Sequence, residues 1–326
     1  MATLLLLALL LGAGWAWTPD RPRAELEARW ATPPSRFVDA AGLRWHVRDT
    51  GPAAGAPAVP PVLMLHGFGS SLHTWETWAL GLQARQRVVR VDLPGAGLSG
   101  PDPARQYDDE HALRQLLALM DTLGLQRASL VGHSMGGRLA WRLAAEHPER
   151  VERLVLVAPD GFASPGFEYG KPPDVGLMAQ LLPHVLPRAV LRAGLEPAYA
   201  DPQRLQEDTV TRYHELLLAP GARGAIIDRL QQLKLQEPSA LLGRVQAPTL
   251  LVWGERDAMI PVANAQDYLR ALPAATAARL VVLPGLGHVP HEEDPAAGLP
   301  AVGDFLAAVP ASPPSPTGPP AGTLAR

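Results

Sequence analysis

The chain of 326 residues contains no cysteine, so disulfide frameworks, thiolate metal sites and cysteine nucleophiles are excluded. Lysine is almost as scarce, because only Lys171 and Lys234 occur, and the formal net charge is -3. A chain without a broad basic field does not attract phosphate backbones, and nucleic acid is therefore not expected as a partner. The sequence also lacks an H-E-x-x-H pattern, so neither a metal nor another cofactor is expected.

One long apolar run is present, at residues 2–17, where no charged side chain occurs. It is slightly shorter than the ~20 residues that a spanning helix needs. Trp15 and Trp17 are typical of a membrane interface, and a basic region before the run is missing apart from the α-amino group. We expect a membrane anchor, with an exported form (periplasmic or secreted) as the alternative if the segment is cleaved. A buried N-terminal helix is the third interpretation.

Short apolar runs of four or five residues recur between stretches with helical spacing. They lie at 62–65, 88–91, 128–131, 154–158, 249–253 and 280–283. Short, mostly apolar runs of this kind are typical of strands buried on both faces, as in a parallel sheet. Before them, Leu43, Trp45 and Val47 alternate with polar residues, as in a strand with one wet face. The sequence therefore predicts an α/β fold with a doubly wound, mostly parallel sheet.

The alternation is interrupted over about 160–244. No clear strand occurs there, and 177–186, 213–218 and 226–235 have helical spacing. We predict a helical insertion that forms a lid over the carboxyl edge of the sheet. The resulting domain division is an anchor or signal segment with a spacer at 1–35, the main domain at 36–310, and a disordered Pro-rich tail at 311–326.

The sequence Gly132-His133-Ser134-Met135-Gly136 matches G-x-S-x-G, the pattern of a nucleophile elbow. Its position between a predicted strand and a predicted helix is the setting that such an elbow requires. Glycines flank the serine because a sharp turn brings neighbouring backbones too close for a Cβ atom. Ser134 is therefore the candidate nucleophile, and a glycine-rich helix start with an ordinary N-cap serine is the alternative.

A serine nucleophile needs a base, and the base needs an acid that orients it. His288 and Asp257 each follow a predicted strand and belong to the same sheet edge as Ser134. His291 is the rival base, and Asp160, after the strand at 154–158, is the rival acid.

Three further polar residues lie near the predicted site. His66 and His133 are expected to hydrogen-bond the loops rather than to transfer protons. Asp92 is expected to cap the turn that follows its strand.

Five motifs together resemble the α/β-hydrolase superfamily, in its lidded serine esterase branch, over residues 37–309. They are His66-Gly67-Phe68-Gly69, Asp92-Leu93-Pro94-Gly95-Ala96-Gly97-Leu98-Ser99, Gly132-His133-Ser134-Met135-Gly136, Gly254-Glu255-Arg256-Asp257 and Gly287-His288-Val289-Pro290-His291. The resemblance implies that Ser134 is the nucleophile, His288 the base and Asp257 its orienter. It also implies that the backbone N–H groups of Phe68 and Met135 bind the oxyanion.

The expected reaction is hydrolysis of a small or medium apolar carboxylic ester. Serine at position 134 disfavours the family members that attack through a carboxylate. Carbon-carbon bond hydrolysis of dienoate acids stays open, although similar sequences often carry Trp after the base and this chain has Val289. Cofactor-free perhydrolase activity stays open as well, as does a noncatalytic membrane-anchored binding module. The sequence leaves the oligomeric state undetermined.

Overall fold

The computed structural model of the protein describes residues 17–52, 59–176 and 179–308. An eight-stranded sheet forms its centre, with strands in the order β1-β2-β4-β3-β5-β6-β7-β8. The strands are β1 Ser35–Ala40, β2 Leu43–Thr50, β3 Val62–Leu65, β4 Val88–Val91, β5 Ala128–His133, β6 Val151–Val157, β7 Thr249–Gly254 and β8 Arg279–Leu283.

Only one end of the sheet is antiparallel. β1 pairs with β2, and β2 pairs with β4, in antiparallel register, whereas all pairs from β4 to β8 are parallel. The runs predicted at 62–65 and 88–91 coincide with β3 and β4. The predicted mostly parallel sheet is confirmed.

Helices cover both faces of this sheet. They are α1 Arg23–Trp30, α2 Glu76–Leu82, α3 Asp109–Thr122, α4 Met135–Glu146, α5 Arg188–Leu195, α6 Glu207–Leu217, α7 Ala222–Gln232, α8 Ser239–Leu242, α9 Asn264–Ala271, α10 Pro290–Glu293 and α11 Pro295–Ala307.

The alternation of side chains along β3 shows how the two layers form. Leu63 and Leu65 belong to the larger hydrophobic core, which includes apolar side chains of α3, α4 and α9. Val62 and Met64 belong to the core on the other face, with side chains of α2 and α11. Successive side chains of a strand point to opposite faces, and β3, which is buried on both, is apolar throughout.

The chain between β6 and β7 contains α5, α6, α7 and α8. The helical segments predicted at 213–218 and 226–235 overlap α6 and α7. The helix predicted at 177–186 was wrong for its described part: residues 179–186 hold only a 3-10 turn, Ala179–Leu181, and α5 begins at Arg188. Pro183 and Pro187 explain the difference, because proline lacks the N–H that a helix interior needs.

The first described residues pack against the chain between β6 and β7. The backbone N–H of Thr18 donates to the carbonyl oxygen of His184 at 2.9 Å. Leu26 of α1 is buried with Leu98 and Leu216. In the described ranges, no helix has both the length and the apolar character that crossing a membrane requires.

Parts of three predictions fall on residues that the structure does not describe. They are the apolar run at 2–17, except for Trp17, the tail at 311–326, and positions 177 and 178 of the predicted helix. The predicted domain boundaries and the lid stay predictions.

Candidate active site

Ser134 lies on a sharp turn between β5 and α4. Its φ of 51° and ψ of -119° place it in a region that non-glycine residues rarely adopt. A Cβ atom added to Gly132 would lie 2.4 Å from the carbonyl oxygen of Gly136, and one added to Gly136 would lie 2.3 Å from that of Leu65. The flanking glycines are therefore required by close backbone approach, as the motif predicted.

His288 and Asp257 form a buried hydrogen-bonded pair. Nδ1 of His288 lies 2.8 Å from Oδ2 of Asp257, and the carboxylate has no solvent-exposed surface. The other carboxylate oxygen accepts the backbone N–H groups of Met259 and Ile260, at 2.9 and 2.8 Å. The carboxylate is thus fixed from both sides, and the pair leaves Nε2 of His288 available for a second partner.

Asp160 has a different partner. Its Oδ2 accepts a hydrogen bond from Nη1 of Arg138, which also pairs with Asp109. Burial raises the pKa of Asp160, although the Arg138 cation acts in the opposite direction. The structure therefore brings Asp257, and not Asp160, into contact with the candidate base.

A cavity of about 320 Å³ lies at this edge of the sheet, and Ser134 and His288 both line it. Phe68 and Met135, the predicted oxyanion donors, line the same cavity. The rest of the wall is mainly apolar and comprises Arg138, Asp160, Ser164, Pro165, Phe167, Arg229, Leu230, Leu233, Ala258, Met259 and Ile260. All predicted site residues except Asp257 thus border a single cavity, and Asp257 reaches it through His288.

The backbone around the two predicted oxyanion donors suits that role. Met135 is the first residue of α4, where helix N–H groups have no intrahelical acceptor and the helix dipole favours an anion. Phe68 lies in the loop after β3. The two predicted donors thus belong to separate elements, and their binding of an oxyanion stays a prediction.

The rival base His291 is turned away into the core. Its Nε2 lies 3.0 Å from Oγ1 of Thr74, and its ring stacks on Trp75 with 4.3 Å between the ring centres. Burial lowers the pKa of His291 to about 4, with the nearby His288 acting in the same direction. This neutral, packed ring does not line the cavity around Ser134.

His133 and His66 connect loops. Nε2 of His133 lies 2.9 Å from the carbonyl oxygen of His288, and it must donate because a carbonyl only accepts. Nε2 of His66 accepts the backbone N–H of Leu93 at 2.9 Å, while Nδ1 donates to the carbonyl oxygen of Gly67 at 2.8 Å. Burial lowers the pKa of both rings, so each is neutral at neutral pH.

Asp92 organises the turns beside the site. Its carboxylate accepts the backbone N–H groups of Leu72 and Leu98, at 2.6 and 2.8 Å, and it contacts Nδ1 of His46 at 2.7 Å. Although burial disfavours the charged carboxylate, the nearby His46 ring holds the pKa of Asp92 well below its usual range. The structure gives Asp92 the turn-capping contacts that the sequence predicted.

Several neighbours of the site escaped the sequence analysis. The carbonyl oxygen of Ala198, in the chain between β6 and β7, accepts the backbone N–H of His288 at 2.8 Å. Arg212 of α6 pairs with buried Glu292 of α10. Arg229 of α7 lines the cavity. No local motif marks these residues, since the groups that each contacts lie far away along the chain.

The described ranges contain no group of three or more histidine, aspartate and glutamate side chains placed to hold a metal ion. The polar side chains at the cavity are instead the hydroxyls of Ser134 and Ser164, the imidazole of His288 with the Asp257 carboxylate behind it, the carboxylate of Asp160, and the guanidinium groups of Arg138 and Arg229. This donor set fits proton transfer and anion binding.

Comparison with known proteins gives a consistent result. The family model described as "alpha/beta hydrolase fold" matches residues 60–295. A 2-hydroxymuconate semialdehyde hydrolase of Pseudomonas sp. strain CF600 is 31% identical, over 83% of this chain and 93% of that protein.

Two solved structures are similar in both fold and sequence. The enol-lactonase from Burkholderia xenovorans LB400 is 25% identical with a TM-score of 0.71, over 84% of this chain and all of the other. A membrane phospholipase A is 25% identical with a TM-score of 0.70, over 94% of this chain and 96% of the other.

Proposed function

The chain belongs to the alpha/beta hydrolase fold family, and on that premise we propose that it is a serine hydrolase of small or medium apolar carboxylic esters. The observation that supports this most is the 2.8 Å contact between His288 Nδ1 and Asp257 Oδ2, at the cavity that Ser134 lines. It joins the proposed base to its orienting acid, and the shared cavity wall supports Ser134 as the nucleophile that this base would activate.

In the proposed first step, Oγ of Ser134 attacks the ester carbonyl carbon and His288 takes the hydroxyl proton on Nε2. The Asp257 carboxylate holds the proton on Nδ1, so the lone pair of the ring is at Nε2, where it is needed. The same carboxylate stabilises the imidazolium that forms.

Attack places negative charge on the former carbonyl oxygen. The backbone N–H groups of Phe68 and Met135 are the proposed donors to this oxyanion, and each such donor is typically worth about 3 kcal/mol of barrier. Collapse of the tetrahedral intermediate breaks the ester C–O bond, and the leaving alkoxide takes the proton from His288. The products of this half-reaction are the alcohol and an acyl-enzyme on Ser134.

Hydrolysis of the acyl-enzyme reverses these roles. His288 removes a proton from water, the hydroxide attacks the acyl carbon, and the Ser134 oxygen leaves with the proton. The acid product is released. Apolar side chains such as Met259, Ile260 and Leu230 at the cavity support an apolar acyl group.

The test is a series of p-nitrophenyl esters of increasing acyl length, hydrolysed by the wild type and by Ser134→Ala. We expect Ser134→Ala to lose turnover by several orders of magnitude, because the nucleophile is gone while packing changes by one oxygen atom. Ser164→Ala, which removes another hydroxyl from the same cavity wall, is the matched control and should retain most activity. Retention of more than about a tenth of wild-type turnover by Ser134→Ala would contradict the assignment.

Carbon-carbon bond hydrolysis is the second candidate function. The 31% identical relative named 2-hydroxymuconate semialdehyde hydrolase favours it. The same three side chains would serve, and the difference would lie in the bond that breaks. Parallel kcat/KM measurements on a p-nitrophenyl ester and on a 2-hydroxy-6-oxo-dienoate decide between the two, since a ratio that favours the dienoate would replace the ester assignment.

The N-terminal apolar run supports a membrane association of this hydrolase. Residues 2–17 contain no charge, and the structurally similar membrane phospholipase A spans 94% of this chain. Fractionation of the full chain and of a variant lacking residues 2–16 tests it. We expect the full chain in the membrane pellet and an active variant in the supernatant; the full chain in the supernatant would contradict the association.

A further inference from the structure

Two arginines beside the cavity are matched with carboxylates. Arg138 pairs with Asp160 and lies 3.2 Å from Asp109, while Arg142 pairs with Asp109 and Glu146, at 3.0 and 2.8 Å. Their positive charge is therefore balanced locally by side chains of the protein.

Arg229 of α7 has a different environment. Its Nη2 donates to the carbonyl oxygen of Pro94 at 2.7 Å, and its guanidinium carbon lies 4.8 Å from the centre of the Tyr107 ring. In the part of the chain that the structure describes, no carboxylate lies within salt-bridge distance of Arg229, and its Nε and Nη1 have no hydrogen-bond acceptor. The neighbouring Asp228 forms a salt bridge with Arg105.

The position of Arg229 makes these free donors accessible to a ligand. Arg229 lines the 320 Å³ cavity with Ser134 and His288, and also an adjoining space of about 210 Å³ with Arg138. Burial lowers the pKa of Arg229 to about 10, with Arg138 acting in the same direction, so the group still carries its charge at neutral pH. An anion beside it would replace the solvation that burial removes.

We propose that Arg229 binds a carboxylate at the far end of the acyl chain, so that the substrates are half-esters of short dicarboxylic acids. The proposal rests on the proposed ester hydrolysis, and it replaces a wholly apolar acyl group with one that is apolar along its methylene groups and charged at its far end. Apolar wall residues, among them Leu230 and Leu233, would contact the methylene groups between the two ends. A guanidinium is suited to a carboxylate because two parallel N–H groups match its two oxygens.

The surroundings favour a carboxylate over a phosphate. Asp160 lines the same cavity and Asp109 lines the adjoining one, so a dianion would face nearby negative charge. One unmatched guanidinium balances one negative charge.

The kinetic test compares p-nitrophenyl hemiglutarate with p-nitrophenyl pentanoate, which has the same number of acyl carbons and no charge. We expect the wild type to prefer the hemiglutarate, and the ratio of the two kcat/KM values to fall about 10-fold to 100-fold in Arg229→Gln, mainly through KM. Arg105→Gln removes an exposed arginine that pairs with α7 and should keep the wild-type ratio. An equal ratio in the wild type and Arg229→Gln would overturn the proposal.

A binding test separates this proposal from the proposed function. Binding of monomethyl glutarate, a half-ester with one negative charge, to Ser134→Ala is measured by calorimetry and should be lost in Ser134→Ala combined with Arg229→Gln. If the half-ester binds in this way and no ester is hydrolysed by the wild type, ester hydrolysis fails and the carboxylate site stands. If p-nitrophenyl pentanoate is hydrolysed and the half-ester does not bind, the carboxylate site fails alone. Inorganic phosphate binding more tightly than the half-ester would overturn the choice of carboxylate.

Should Arg229→Gln fail to fold, as judged by circular dichroism, Arg229→Lys provides the same test. The ammonium keeps the charge and loses the two parallel donors. It should retain a weaker preference for the hemiglutarate than the wild type has, and a preference equal to or above the wild-type value would overturn the proposal.

Discussion

Asp160 and Asp257 follow neighbouring parallel strands, β6 and β7, and each is the third residue beyond its strand. Their surroundings nevertheless differ. Asp257 contacts the imidazole of His288 and two backbone N–H groups, whereas Asp160 contacts the guanidinium of Arg138. An acid that contacts an imidazole can orient a base, whereas the Asp160 carboxylate is engaged by a guanidinium instead. The partner, and not the place at the sheet edge, distinguishes the two acids.

The largest effects are expected where the proposed base is removed. His288→Ala should lower kcat by about 10⁴-fold or more, because it removes the imidazole that is proposed to take the serine proton. His291→Ala should lower kcat far less, since His291 bonds Thr74 in the core. Turnover of the p-nitrophenyl esters measures both, and the reverse order would assign the base to His291.

Replacing the two acids tests the comparison itself. Asp257→Asn should lower kcat by about 10³-fold to 10⁴-fold, because an amide neither stabilises the imidazolium nor enforces the tautomer. Asp160→Asn should lower kcat by less than about 10-fold, since His288 keeps its partner. The same ester assay applies to both variants, and an exchange of the two effects would move the orienting role to Asp160.

A smaller effect concerns pH and the ring of His291. The pKa of His291 is lowered from 6.5 to about 4 by burial, so the unfolded chain binds a proton that the folded chain rejects. The contribution of His291 to the free energy of unfolding is therefore fully present above pH 6.5 and is lost as pH falls toward 4. This loss in the free energy of unfolding corresponds to about 3 kcal/mol. His291→Gln should show a shallower fall in unfolding free energy between about pH 7 and pH 4.5. If the free energy of unfolding of His291→Gln fell with pH as steeply as that of the wild type, the claim that the His291 ring is buried and neutral would be contradicted.

The smallest effect is expected on the stability of Asp160→Asn. Arg138 is buried, and it would keep Asp109 while losing the charge of its other partner. We expect the free energy of unfolding in urea to fall by about 2 kcal/mol. An unchanged or higher value would show that the Arg138 pair is not needed for the fold.

Local sequence patterns were sufficient to predict the sheet and the nucleophile elbow. The apolar run at 62–65 forms β3. The glycines on both sides of Ser134 are needed because a Cβ atom at either position would lie too close to neighbouring backbone atoms. These features depend on residues close in sequence and on the spacing of apolar residues along the chain. The family resemblance named Asp257 and His288, which the structure then brings together.

Contacts between segments that are distant in sequence could not be predicted from the sequence. The pairing of Asp160 with Arg138 and the unmatched guanidinium of Arg229 depend on how α4 and α7 pack around one cavity. The helix predicted at 177–186 was wrong over its described residues, 179–186, because the apolar spacing does not show that Pro183 and Pro187 interrupt a helix. Helix or strand propensity and hydrophobic periodicity are properties of a local segment. The partner of a charged side chain depends on tertiary packing, which those local patterns do not reveal.

The most direct test of the central claim is the rate of labelling by a fluorophosphonate, with the modified peptide identified by mass spectrometry. We predict a single adduct, on Ser134, formed much more slowly in Asp257→Asn and at close to the wild-type rate in Asp160→Asn. An adduct on another residue, or slow labelling in Asp160→Asn with fast labelling in Asp257→Asn, would contradict the proposed arrangement of Ser134, His288 and Asp257.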